Sequence, residues 1–358
     1  MNFRLLPEWA EQDAVMLTWP HAQTDWADTL ERVEPVYVEL ATHITAVQQL
    51  VIVAHNTALK SHITALLTKA NINLSHVHFV VTPTNDTWAR DHGPITCANI
   101  NDARQLKIYD FIFNGWGNKF NASEDNLANQ RYLAAMCKSV LRSSPVVAEG
   151  GALEIDEDGH LLSTAQCLLN PERNGDMSLG AYEDAFKDML GCSKVTVLQN
   201  GHLEGDDTDG HIDTIVRFTP NKGLVIQACN NRPNDSHFEG LKALCDECAL
   251  ELPEHKQFHL PLPYIVNDEG DRLPASYANY LICNKSILLP VYGEEEDAEA
   301  IETVQQAHPD HIVEPIDCSV LVRQYGSLHC ISMQVPTNTL KDSIITTLKK
   351  GVSLHAPS

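Results

Sequence analysis

Five short stretches of this 358-residue chain carry side chains able to do chemistry. They are Trp88-Ala89-Arg90-Asp91-His92-Gly93-Pro94, Glu149-Gly150-Gly151, Asp209-Gly210-His211-Ile212-Asp213, Ser276 to Asn279, and Gly326-Ser327-Leu328-His329-Cys330. The first packs a Trp, a charge pair and a Gly-Pro turn together; its plainer reading is a Trp-anchored loop with a surface ion pair of little energetic weight. In the second, two glycines beside a carboxylate allow close backbone approach to a ligand, or simply a turn. The third, read as extended, places His211 and Asp213 on one face with Ile212 turned away. That pair fits proton transfer, metal ligation or a buried histidine with its acidic partner. In the last, Cys330 follows a small-residue loop at the start of a late strand, where a thiol faces a cavity as a nucleophile or packs as a small hydrophobe.

These residues need elements to hold them. Four segments read as apolar strand pairs around a turn: Ile95 to Phe113, Ala152 to Thr164, Ile212 to Ala228 and Tyr277 to Tyr292. Helical periodicity covers Asn126 to Leu141, Ala181 to Leu190, His237 to Leu250 and Asp297 to Ala307, with strands expected at Val195 to Leu198 and Ile312 to Ile316. The N-terminal part adds a helix at Thr29 to Ala46, a strand at Leu50 to Ala54, a helix at Thr57 to Ala70 and a strand at Val77 to Thr82. The chemical residues fall just before or at the start of the hairpins. Repeats of mixed strand and helix set about an axis would point them into one cavity; a generic α/β sandwich is the other reading.

Composition narrows the function classes. A formal charge of -23 repels phosphate backbones and concentrates cations, so a cationic small molecule is expected and nucleic acid is not. No uncharged stretch reaches the roughly 18 to 20 residues of a membrane span, and no export signal is read, so a soluble, cytoplasmic protein is expected. The ten cysteines then read as reduced thiols, Cys245 and Cys248 included, since no second ligand pair accompanies that C-x-x-C.

In order along the chain, W-A-R-D-H-G-P, F-N-G-W-G-N-K-F (Phe113 to Phe120), E-G-G-A-L, C-L-L-N-P-E-R-N (Cys167 to Asn174), D-G-H-I-D and S-L-H-C resemble the agmatine deiminase and Porphyromonas-type peptidylarginine deiminase family of the guanidine-modifying superfamily. The resemblance implies a single catalytic domain over residues 1–358, built of about five repeats as a pseudo-symmetric, five-bladed α/β propeller of the pentein type. It implies Cys330 as nucleophile, His211 as general acid and base, Glu149 as a catalytic carboxylate, and Asp91 and Asp213 as guanidinium-binding carboxylates. Trp88 and Trp116 would wall the substrate channel or pack in the core. No metal and no cofactor is implied, and a homodimer is the expected assembly.

The inventory suits the chemistry. A guanidinium is planar and permanently charged, and flanking carboxylates hold its fork of N–H donors. Its carbon is a poor electrophile, which calls for a thiolate. The expected reaction is hydrolysis of agmatine to N-carbamoylputrescine and ammonia, on the route to putrescine. One departure stands out: the family's Gly-Gly-Gly-Asn-Ile-His-Cys reads Gln324-Tyr325-Gly326-Ser327-Leu328-His329-Cys330 here, which leaves the exact guanidine open. Competing readings are deimination of peptidyl-arginine, a metal-dependent hydrolase using Asp206, Asp207, Asp209, His211 and Asp213, and a non-catalytic propeller.

Overall fold

The computed structural model describes residues 2–343, 345, 354 and 355. Two compact units divide the chain, each assembled from separated segments: one from Phe3–Trp9 and Gly151–His329, the other from Ala10–Gly150 with the residues from Cys330 onward. The content is mixed α/β, as the sequence pattern predicts.

In the first unit one pairing pattern occurs three times. Glu154–Ile155 pairs antiparallel with His160–Thr164, which takes Lys194–Leu198 in parallel. Val216–Thr219 and Gly223–Gln227 are likewise antiparallel, with Lys256–Leu260 parallel to the second strand. Leu281–Ile282 and Ser286–Val291 repeat this with Ile312–Asp317. A parallel neighbour needs a crossover, and each of the three carries a helix: Leu179–Leu190, Phe238–Glu251 and Asp297–Ala307. Each helix buries one stripe. Tyr182, Phe186 and Leu190 recur every four residues on the first, which starts at the Ser178 cap and stops at left-handed Gly191. On Phe238–Glu251 the buried stripe is Leu241, Leu244, Cys245 and Cys248, so the C-x-x-C lies in the hydrophobic core, where burial pushes the two thiols up to about 11 and about 12.

In the second unit Ile95–Asn99 and Asp102–Ile112 form the antiparallel pair, and Leu141–Val147 joins in parallel. Here the expected helix from Asn126 to Leu141 does not form. The segment winds through 3-10, π and single α turns and ends at Met136; Leu141 already belongs to the strand. Polar anchoring overrides the helical pattern: Asn129 Nδ2 donates to the His92 carbonyl at 2.7 Å and to Asp110 at 2.9 Å, and Asn126 Oδ1 accepts from Phe113 N at 2.8 Å. In the remaining sheet Ser332–Pro336 lies antiparallel to Gln12–Thr18, followed in parallel by Gln49–Ala54 and Val77–Val81. Leu50 to Ala54 are all buried, as befits a parallel strand covered on both faces. Helix Leu30–Val47 makes this sheet's first crossover, with Val33, Val36, Tyr37, Leu40, Ala41 and Ile44 buried at helical spacing. Among the described residues, the pattern of two antiparallel strands with a third strand parallel to one of them thus occurs in five sheets.

Candidate active site

In the unit holding Ala10–Gly150 and the residues from Cys330, the organising side chain is Arg90. The turn Ala89–His92 ends where Gly93 N donates back to Ala89 O at 2.9 Å. Arg90 N donates to the Cys330 carbonyl at 3.1 Å, and its guanidinium reaches Gln334 Oε1 and, at 3.6 Å, Met333 Sδ. Gly150, next to Glu149, packs so closely on the same turn that a Cβ there would stand 2.3 Å from the Arg90 carbonyl. Asp91, Glu149 and Cys330, far apart in sequence, are therefore all tied to Arg90, a buried residue that the sequence reading takes for half of a surface ion pair. All three are buried, Glu149 almost completely.

Asp91 is oriented by Trp116, whose Nε1 donates to Oδ2 at 3.0 Å. Trp116 is held in a left-handed turn (φ 55) between Gly115 and Gly117, capped by Asn114 Oδ1 accepting from Gly117 N at 2.9 Å. Trp88 lies edge-on to Trp116 at 6.3 Å and donates to Asp86 at 2.9 Å; Trp26 donates to the other Asp86 oxygen at 3.0 Å. Both Trp88 and Trp116 are buried, and each uses its indole N–H to fix a carboxylate. Trp116 also lines a cavity of about 280 Å³ together with Phe113, Phe120, Asp25, Asp86 and Asp125. Burial pushes Asp86 up to about 6, against hydrogen bonds that favour its charge, and pushes Asp125 up to about 7.

Before Cys330 the chain makes its own concession. Tyr325 adopts φ 64 at the place where the family pattern has its middle glycine, a conformation costing a non-glycine residue about 1–2 kcal/mol.

In the other unit, His211 and Asp213 come together by a route different from the expected one. They do not alternate along a strand: His211 caps a 3-10 turn, Ile212–Thr214, and the strand begins only at Val216. Left-handed Asp209 (φ 65) and Gly210 (φ 87) bend the chain into that turn. Asp206 fixes the bend, accepting from Thr208 N, Thr208 Oγ1 and Gly210 N at 3.0, 2.6 and 2.7 Å, while Asp209 accepts from Asn170 Nδ2 at 2.6 Å. Of the acidic run, Asp206 and Asp209 thus hold this turn.

His211 and Asp213 are fully buried. Asp213 Oδ2 lies 2.6 Å from His329 Nδ1, and His329 Nε2 lies 2.7 Å from Glu8 Oε1. Glu8 also meets Arg217, whose Nε donates to Glu154 at 2.9 Å and whose Nη1 donates to the Ala278 and Tyr280 carbonyls. Burial alone would raise Asp213, but the His329 hydrogen bond and charge, with His211 and Arg217 nearby, hold it below the usual carboxylate value. The backbone N–H of His329 is placed by Asn279, through both its carbonyl and its Oδ1 at 3.2 Å. The sequence pattern singles out the Ser276–Asn279 stretch but gives no role to His329, Glu8 or Arg217.

One unit buries a thiol with two carboxylates and the other a histidine with a third, residue types that suit a cysteine-dependent enzyme for a cationic substrate. The Porphyromonas-type peptidyl-arginine deiminase family pattern matches residues 4–336, and the chain belongs to that family. A Porphyromonas gingivalis protein provisionally named an arginine deiminase is 41% identical, with a TM-score of 0.87 over 95% of this chain and 100% of its own. A cysteine-to-serine variant of C. jejuni agmatine deiminase, solved with substrate bound, is 31% identical, with a TM-score of 0.87 over 95% of this chain and 97% of its own. A Vibrio parahaemolyticus protein provisionally named an agmatine deiminase is 30% identical, covering 94% of this chain and 97% of the relative. Among the described residues, no helix is long and apolar enough to cross a membrane.

Proposed function

We propose that the protein hydrolyses a small cationic guanidine, agmatine first among them, to the corresponding urea and ammonia. The observation that carries this reading is similarity over 94–95% of the chain to agmatine deiminases, one of them solved with substrate bound. Beside it stand two buried carboxylates, Asp91 and Asp213, each held at one oxygen by a ring nitrogen.

In this mechanism Asp91 and Asp213 hold the guanidinium, and the Cys330 thiolate forms a bond to its carbon. The tetrahedral adduct expels ammonia as the C–N bond breaks and His211 delivers the proton. An amidino-thioether on Cys330 remains. His211 then takes a proton from water, whose oxygen adds to the same carbon; the C–S bond breaks as the hydroxyl gives its remaining proton to solvent, where ammonia takes it up, and N-carbamoylputrescine leaves with the thiolate regenerated. Glu149 supports the charge that develops around the reacting carbon. Five sheets sharing one strand pattern support arranging the chain as a five-bladed pentein-type propeller, one catalytic domain in all.

The test is ammonia release from agmatine, free arginine and a blocked arginyl peptide, with a chelator present, for the wild type and Cys330→Ala. Turnover of agmatine that vanishes in the variant is expected. Preference for the peptide would move the substrate class to peptidyl-arginine, for which the altered loop before Cys330 gives room; silence on all three would reject the reading.

A further inference from the structure

We propose that His329 is a positioning residue for the reaction: an imidazolium clamped between Asp213 and Glu8 that aims the Asp213 carboxylate at the substrate. This rests on the deiminase reading above.

The geometry allows little else. Both ring nitrogens face carboxylate oxygens, at 2.6 Å on the Asp213 side and 2.7 Å on the Glu8 side. An ionised carboxylate only accepts, so a neutral ring, with one N–H and one lone pair, would leave lone pair facing lone pair on one side. Two N–H donors satisfy both contacts. The surroundings agree: Glu8 divides its two oxygens between Arg217 and His329, and Asp213 faces the other edge of His329, so a protonated ring beside Arg217 balances the charges of Glu8 and Asp213. His329 is itself fully buried, so solvent does not supply that balance.

The ring's place is set from two directions. Asn279 receives the His329 backbone N–H, and Glu8, on the segment Phe3–Trp9, holds the far edge of the ring while gripping Arg217 with its other oxygen. Asp213 Oδ2 is thereby committed to His329. The carboxylate cannot rotate without losing a short charge-assisted hydrogen bond, so the face it offers to a guanidinium is fixed before substrate arrives. Glu8 acts one contact further out, keeping the proton on Nε2.

Two amides separate the two edges of the ring. In His329→Asn the side-chain nitrogen falls near the place of Nδ1 and still donates to Asp213. In His329→Gln it falls near Nε2, serving Glu8 and abandoning Asp213. We expect His329→Asn to keep KM for agmatine within about threefold of wild type, and His329→Gln to raise it at least about tenfold, the loss of one charge-assisted hydrogen bond, with a smaller fall in kcat. Both variants lose the same charge and should melt at similar temperatures, so a difference in KM between them is not a stability effect. Equal KM values in the two, changed or unchanged, would overturn the proposal.

The charge state is read without substrate, by 15N spectra of histidine-labelled wild-type protein at pH 8, the His329 ring being assigned through its own backbone amide. Two protonated ring nitrogens are expected; one protonated and one bare nitrogen would overturn the clamp. If wild type is inactive on every guanidine, the deiminase reading fails while the spectrum still decides the clamp.

Discussion

Gly150→Ala probes whether Arg90 holds Cys330, the proposed nucleophile, in register with Asp91 and Glu149. The added Cβ would stand 2.3 Å from the Arg90 carbonyl oxygen and 3.1 Å from Met333 Cε. Met333 can swing its terminal methyl away, but the oxygen is main chain and must retreat by about 1 Å to reach ordinary contact. The same residue donates its N–H to Cys330 O at 3.1 Å and its guanidinium to Gln334, so the retreat is passed to the strand that starts just after the thiol. Misplacing a catalytic group by about 1 Å costs on the order of 100-fold in rate, and overpacking of this kind costs about 1–3 kcal/mol in stability. The expected variant is folded, melts several degrees lower, and has kcat for ammonia release reduced about 100-fold. A folded Gly150→Ala enzyme with wild-type kcat/KM would refute the idea that the Arg90 turn transmits position between these residues.

Three further outcomes follow from the geometry. Trp116→Phe keeps an aromatic ring but removes the N–H that fixes Asp91, so KM for the guanidine should rise about tenfold while the melting temperature changes little; steady-state kinetics with thermal unfolding will check it. Arg217→Met takes from buried Glu154 its cationic partner and from Glu8 one of two, and denaturant unfolding should show a loss of about 3–5 kcal/mol. Asp86 and Asp125 hold their protons more tightly folded than unfolded, so their stabilising effect is complete below about 4 and is lost as pH rises through about 6 and about 7. Between about pH 4 and about pH 8, Asp125→Asn should therefore flatten the decline in melting temperature; a slope equal to wild type would contradict the burial of that carboxyl.

The pattern of apolar residues makes much of the fold legible. Helix Asp297–Ala307 has the expected bounds, and Leu179–Leu190 and Phe238–Glu251 differ from expectation by a residue or two, because their buried stripes repeat locally. The stretch after Asn126 misleads because its decisive contacts, from Asn129 to His92 and Asp110, are polar and distant in sequence. The same limit applies to the site. Asp91, Glu149, His211, Asp213 and Cys330 advertise themselves through neighbouring glycines and family motifs, whereas Glu8 gains its meaning from His329, 321 residues away. Arg90 reads in the sequence as half of a surface ion pair; only the fold shows it buried and bound to Cys330 and Gln334. The bend at Asp209-Gly210 is hidden for a different reason: alternation describes a strand, and two left-handed residues in succession end one.

The antiparallel pairing of Ser332–Pro336 with Gln12–Thr18 bears on how a ribosome delivers this protein. At synthesis rates of about 5–20 residues per second, the early strand emerges tens of seconds before its partner exists. Gln49–Ala54 can occupy one of its edges, but the other stays open, bordered by Ala14 to Leu17, which become wholly buried in the finished protein. The nascent chain thus carries an adhesive edge for most of its translation, and a chaperone that shields strands would find its target there. The same delay withholds the proposed nucleophile, since Cys330 reaches its place only when the residues that close this sheet have left the ribosome.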